Sequence, residues 1–114
     1  MTFVYKICSA ADWEAAHTTG LYGGSEVDRR DGFIHLSTAA QLRETARRHF
    51  TGQEGLVLVS FESATIGPSL VWEKSRGGDL FPHVYGSIET AKASRAEALP
   101  VGGEGPIFPP GIPS

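Results

Sequence analysis

With a single cysteine, Cys8, the 114-residue chain cannot staple itself with an internal disulfide. That suits a reducing compartment and a buried thiol at the end of an apolar strand, and no histidine lies near it in sequence to make it a nucleophile. No stretch reaches the ~18 consecutive apolar residues of a membrane span. Met1-Thr2-Phe3 leads straight into a strand, without the basic, apolar and cleavage regions of a signal peptide, so a cytoplasmic location and no membrane partner are expected. Positive charge is not in excess either: 10 Lys and Arg against 13 Asp and Glu give a formal net charge of -3. Broad binding to phosphate backbones needs the opposite balance, so double-stranded nucleic acid is not an expected partner. The pairs Arg29-Arg30 and Arg47-Arg48 read as solvated helix faces or ion pairs. There is no internal repeat and no Gly-x-Ser-x-Gly elbow of a serine hydrolase.

What is present suits one small domain. A content of 40% apolar and 20% charged residues excludes a wholly disordered chain, and 114 residues bury enough surface to fold without a metal. Phe3 to Ile7 reads as a first strand. Ser9 followed by Asp12 marks a capped helix start carrying Trp13, Ala15 and Ala16 and ending by Gly20. Leu21 to Asp31 has glycines and alternating charges but no apolar period, and is expected to be a loop of functional length. Gly32 to Leu36 reads as a strand. Thr38 with Gln41 forms a capping box for a helix whose Ala39, Leu42, Ala46 and Phe50 share a stripe, with Glu44 set to pair with Arg48. Leu56 to Phe61 is the surest strand, apolar enough to be covered on both faces. Leu70 to Trp72 reads as another strand, Gly77-Gly78 as a turn, and Val84 to Ala93 as weaker strand ending before Pro100. The domain is expected over residues 1–101, with 102–114 a Gly/Pro-rich flexible tail.

Two clusters carry chemistry. The segment from Leu70 to Gly86 gathers Trp72, Glu73, Ser75, Arg76, His83 and Tyr85 around Gly77-Gly78. Glu73, an acid in an apolar strand, suits a general base or a ribose-hydroxyl acceptor, or else a surface pair with Lys74 or Arg76. Arg76 beside Gly77 can lay a bidentate fork on phosphate or carboxylate where the glycines let backbone approach closely. His83 and Tyr85 share a strand face and can bracket a ring. In the second cluster, His35 stands just before a helix start, beside the hydroxyls of Ser37 and Thr38, where an anion is favoured. A core imidazole is the plain alternative for His35, and capping the plain alternative for Thr38. Tyr22 and Ser25 are candidate lid contacts, and His17 and His49 belong to no pattern. His35, Glu73 and His83 also have the residue types, though no compact spacing, of a two-histidine, one-carboxylate metal site.

These motifs in order, from Tyr5-Lys6-Ile7 and Trp13-Glu14-Ala15-Ala16 through Gly32-Phe33-Ile34-His35-Leu36-Ser37-Thr38 to Trp72-Glu73 and His83-Val84-Tyr85-Gly86, resemble the small bacterial DUF952 family over residues 3 to about 99. The resemblance extends to the ADP-ribosyltransferase-like fold, a single compact α+β domain with a split, mainly antiparallel sheet and two principal helices. Its nearest parallel is the C-terminal lobe of RNA 2'-phosphotransferase, where a His-Leu-Ser strand follows a Gly-Leu loop as Ile34-His35-Leu36-Ser37 follows Gly20-Leu21 here. The His-Gly pair that these transferases carry on the first strand is replaced by Lys6-Ile7, which leaves NAD an open rather than assigned cofactor. The implied function is a cleft for a small anionic or nucleotide-like ligand, with His35, Glu73 and His83 as catalytic candidates and ADP-ribosyl transfer as the implied chemistry. A non-catalytic binding or interaction module and a metal-dependent enzyme are the alternatives.

Overall fold

Strand β4, Leu56–Glu62, lies at the centre of the larger sheet, between β1 (Phe3–Ser9) and β8 (Ala93–Leu99), with both pairings antiparallel. The computed structural model describes residues 2–102 and 105–112, and all their side chains except those of Arg76, Gly102 and Gly105. Alternation along β4 explains its nearly continuous apolar sequence, because both faces are covered. Val57, Val59 and Phe61 join Val4, Cys8, Trp13 and Ala16 in one core; Leu56 and Leu58 join Tyr5, Ile7, Leu42 and Ala46 in the other. Each fully buried side chain of this kind, Leu42 or Leu58 for example, contributes about 1.5–3 kcal/mol.

The two principal helices follow from their caps. Helix α1, Ala10–Thr19, starts where the Ser9 hydroxyl accepts from the Asp12 amide and ends at Gly20, in the left-handed conformation a Cβ disfavours. Helix α3, Ala39–His49, has the reciprocal Thr38–Gln41 box and lays Leu42 and Ala46 on the sheet, while Glu44 pairs with Arg48 at 3.1 Å and also with Arg47.

The expected loop from Leu21 to Asp31 is corrected: it forms a two-residue strand, β2 (Leu21–Tyr22), and a short helix, α2 (Glu26–Asp31). Its signal is the Ser25–Asp28 capping box, which closes one turn of helix in a segment with no apolar period. The strand expected from Gly32 shrinks to β3, Ile34–His35, because Gly32 ends α2 at φ 90°.

A second three-stranded sheet sets β6 (Leu80–Val84) between β3 and β5 (Leu70–Lys74), all antiparallel. A backbone bridge between Tyr5 and Ser37, with N–H to O distances of 2.8 and 2.9 Å, ties this sheet to β1. The result is one split, antiparallel α+β body. The four-residue α4 (Ser63–Ile66) leads into β5, and β7 (Ile88–Glu89) pairs with β2. The weak signals after Val84 resolve into β7 and the full strand β8.

The tail, expected to be flexible, is packed where it is described. Strands β9 (Val101–Gly102) and β10 (Gly105–Pro106) pair, and Phe108 and Ile112 rest on the second core, with the Arg43 guanidinium 4.9 Å from the Phe108 ring. Residues 103, 104, 113 and 114 lie outside the described residues. Among the described residues no helix is long and apolar enough to cross a membrane.

Candidate functional site

Two histidine–carboxylate networks meet on one face of the β3–β6–β5 sheet. The first is built by α2. Its capping box turns Asp28 inward, and Gly24 lets the chain pass so close that a Cβ there would lie 2.7 Å from Cβ of Asp28. Asp28, 2% exposed, accepts at Oδ2 from Lys6 Nζ (2.7 Å) and the Ser25 amide (2.9 Å). At Oδ1 it accepts from His35 Nδ1 (2.6 Å) and the His35 amide (3.1 Å). Those four bonds fill the acceptor capacity of a carboxylate. Burial alone would raise its pKa, but the His35 hydrogen bond and the Lys6 charge outweigh it and hold the acid well below the usual carboxylate range. Lys6 is itself buried and spends another donor on the His35 carbonyl (3.0 Å). On the far side of the ring, His35 Nε2 lies 3.1 Å from Asp31 Oδ2, so each ring nitrogen faces a carboxylate.

The second network is built by the β5–β6 hairpin. Register pairs His35 with His83, His83 with Val71, and Glu73 with Phe81, so strand alternation sets Glu73, His83 and Tyr85 on the face of His35. His83 Nδ1 lies 2.8 Å from Glu73 Oε1, and the Tyr85 hydroxyl donates to both Glu73 oxygens at 2.9 and 3.1 Å. The His83 and Tyr85 hydrogen bonds hold the Glu73 carboxyl below its ordinary value, and the same contact raises the Tyr85 phenol. The Glu73 side chain is 36% exposed and Tyr85 46%, unlike buried Asp28.

Phe33 joins the two networks. Its ring stacks on His83 at 4.2 Å and lies 4.6 Å from His35 and 5.4 Å from Tyr85. The two imidazoles are 5.5 Å apart, edge to face. The surface is therefore a strip of aromatic rings with Asp31 at one end and Glu73 at the other.

Of the residues singled out in sequence, His35, Glu73, His83 and Tyr85 are brought together here. Ser37 and Thr38 are occupied elsewhere: the Ser37 hydroxyl bonds Thr45 at 3.1 Å, and the Thr38 hydroxyl caps α3. Trp72 lies on the opposite face of β5 from Glu73 and is 40% exposed. Ser75 and Gly77 form the hairpin turn, where the Gly77 backbone at φ 71° needs a glycine; the Arg76 side chain lies outside the described residues.

Tyr22 is not a lid contact. It is packed in the core beside Trp13, with its hydroxyl next to the Cys8 thiol, and burial pushes both groups up, Cys8 to about 11. Ser25 is the cap of α2. The residues that sequence reasoning passed over are Lys6, Asp28, Asp31 and Phe33. Only the Ser25–Asp28 spacing gave any signal, because Asp28 finds Lys6 across the fold.

Although His35, Glu73 and His83 come close, among the described residues no group of three His, Cys, Asp or Glu side chains is arranged to hold a metal ion. The ring nitrogens nearest the acids are already hydrogen bonded to them. A separate open groove of about 210 Å³ lies behind α1, lined by Asp12, Ala15, Tyr22 and Arg29 among others. It does not include the histidine strip.

Similar structures exist for a bacterial chain. The crystal structure of protein CC0527 from Caulobacter crescentus is 45% identical, with a TM-score of 0.90 over 93% of this chain and 94% of that one. Its solution NMR structure, also 45% identical, gives a TM-score of 0.83 over 93% and 91%. No functionally curated protein matches the chain. Residues 7–96 match DUF952, described as a protein of unknown function, and with the likeness to CC0527 this makes the protein a member of the DUF952 family.

Proposed function

We propose that this protein binds a small, hydroxyl-bearing, nucleotide-like molecule over the Phe33 strip, and that Glu73, His83 and Tyr85 act on it. The carrying observation is the Glu73 carboxylate, ionised and about one-third exposed, held by His83 and Tyr85 beside an aromatic face. With Nδ1–H of His83 committed to Glu73, the other ring nitrogen is the basic one in the neutral imidazole, the arrangement of a general base oriented by an acid. Glu73 in turn can accept from a ligand hydroxyl and stabilise positive charge developing nearby. ADP-ribosyl transfer, which the family's resemblance implies, is chemistry of this kind.

Thermal-shift measurements against NAD, ADP-ribose, mononucleotides and sugar phosphates test the reading. A ligand at ~100 times its dissociation constant should add about 2.7 kcal/mol to wild type. Glu73→Gln should lose the shift, and wild type should release nicotinamide from NAD. No shift with any of these ligands would sink the reading. A second reading, binding without turnover, is favoured by one observation: the first-strand position that carries histidine in the transferases is Lys6, which is tied to Asp28. A ligand shift without nicotinamide release selects it.

A further inference from the structure

We propose that the surface formed by α3 and the edge strand β8 is a docking surface for an uncharged, proline-rich peptide segment with an aromatic anchor, and that the chain's own residues 105–112 occupy it as a tethered ligand. It stands apart from the histidine strip and from the function proposed there. The segment is held as a bound peptide would be. Among the described residues β9 and β10 pair only with each other, and the Ile107 amide donates to the Pro100 carbonyl at 2.7 Å, so the backbone of 105–112 joins neither large sheet. Side chains fix it instead. Phe108 and Ile112 rest on the core of Leu42, Ala46 and Leu99. The Arg43 guanidinium lies 4.9 Å from the centre of the Phe108 ring and donates to the Ile112 carbonyl at 3.4 Å. Arg95, which also pairs with Glu97, donates to the Pro110 carbonyl at 3.4 Å.

The two sides match in chemistry. From Gly105 to Ser114 there is no charged side chain, and Pro106, Pro109, Pro110 and Pro113 punctuate the run. Proline presents a carbonyl without an N–H, and its fixed φ lowers the ordering cost of docking. The surface answers these acceptors with two guanidinium donors, and the aromatic ring with a cation and an apolar seat. Gly111 stands at φ 94°, where a Cβ would be strained and would come 3.2 Å from Arg95. The pattern recognised is therefore aromatic-Pro-Pro-Gly-aliphatic, a proline-rich segment read through its carbonyls and one ring. A segment tethered this closely is present at an effective concentration in the millimolar range, so a free peptide of the same pattern binds well only where the tethered copy is weakened.

The probe is a synthetic peptide with the sequence of residues 105–112, blocked at both ends and titrated into the full chain while the amide resonances of Leu42, Ala46 and Leu99 are followed by NMR. A double variant, Phe108→Ala with Ile112→Ala, should bind it at least about tenfold more tightly than wild type, where the tethered copy competes. A peptide with alanine in place of its phenylalanine should bind that variant about tenfold more weakly, as should the unaltered peptide once Arg43→Ala is added. Should the double variant not give a folded spectrum, hydrogen exchange in wild type decides. The Ile107 amide, bonded to Pro100, should exchange at least about tenfold faster than the Tyr5 amide, bonded to Ser37, because the docked segment opens without the rest of the fold. A folded double variant that the peptide does not bind, equal binding of the peptide lacking its phenylalanine, or an Ile107 amide exchanging no faster than that of Tyr5 overturns the proposal.

Discussion

Asp28 and Glu73 are both carboxylates that grip a histidine ring through Nδ1, and they differ in almost everything else. Asp28 is 2% exposed, has all its acceptor sites filled, two of them by backbone amides, and neutralises a buried lysine. Glu73 is about one-third exposed, is held by side chains alone, and keeps acceptor capacity. A fully satisfied buried acid organises structure; a partly satisfied acid at a surface is available to a ligand. The same pairing therefore serves as a lock tying β1, α2 and β3 together in one place and, on the function proposed above, as a working group in the other.

The comparison breaks most visibly at Asp28. Asp28→Asn leaves the Lys6 ammonium buried without its counter-charge, and should cost about 3–5 kcal/mol in urea unfolding. A loss no larger than that of a surface substitution would contradict the lock. Lys6→Met should cost less, about 1.5–3 kcal/mol, because Asp28 keeps its bonds to His35 and to the Ser25 amide.

Acid sharpens the contrast further. The Asp28 pKa is depressed in the folded state from its ordinary 3.8, so its contribution is fully present above that value and lost as pH falls through the lower folded value. The stability gap between wild type and Asp28→Asn should accordingly be constant from pH 7 to about pH 5, begin to narrow below about pH 4 and go on narrowing as pH falls toward the depressed folded value; a gap of unchanged size at about pH 2 would show that the charge is not its source. The smallest effect concerns Cys8, whose thiol is pushed up to about 11 by burial. It should react with a disulfide reagent at pH 7 only after denaturant is added, and prompt labelling of the native protein would show the first core to be open.

The sequence disclosed these regions unequally. The caps at Ser9 and Thr38, the stripe through Leu42 and Ala46, and the doubly covered run from Leu56 to Phe61 were legible because each is a local pattern read out by backbone geometry. So was the strand face shared by His83 and Tyr85, which alternation alone places together; that Glu73 joins them depends on the β5–β6 register across the hairpin. Helix α2 was read as loop because a six-residue helix has no apolar period, and what holds it down is Asp28, whose partners lie 22 residues before it and seven after. Phe33 carries no signal of its own in the sequence, and only the pairing of His35 with His83 turns it into a bridge between two networks. The hydroxyls of Ser37 and Thr38 illustrate the reverse: the residue types suited an anion site, but capping α3 and bonding Thr45 consumed them.

The central claim is that the Asp28 network carries structure and the Glu73 network carries function. Equilibrium urea unfolding of Asp28→Asn and Glu73→Gln, run side by side with wild type at pH 7, tests it most directly. The account predicts a midpoint for Asp28→Asn far below wild type and one for Glu73→Gln close to it. Equal losses in the two variants, or a larger loss for Glu73→Gln, would contradict it.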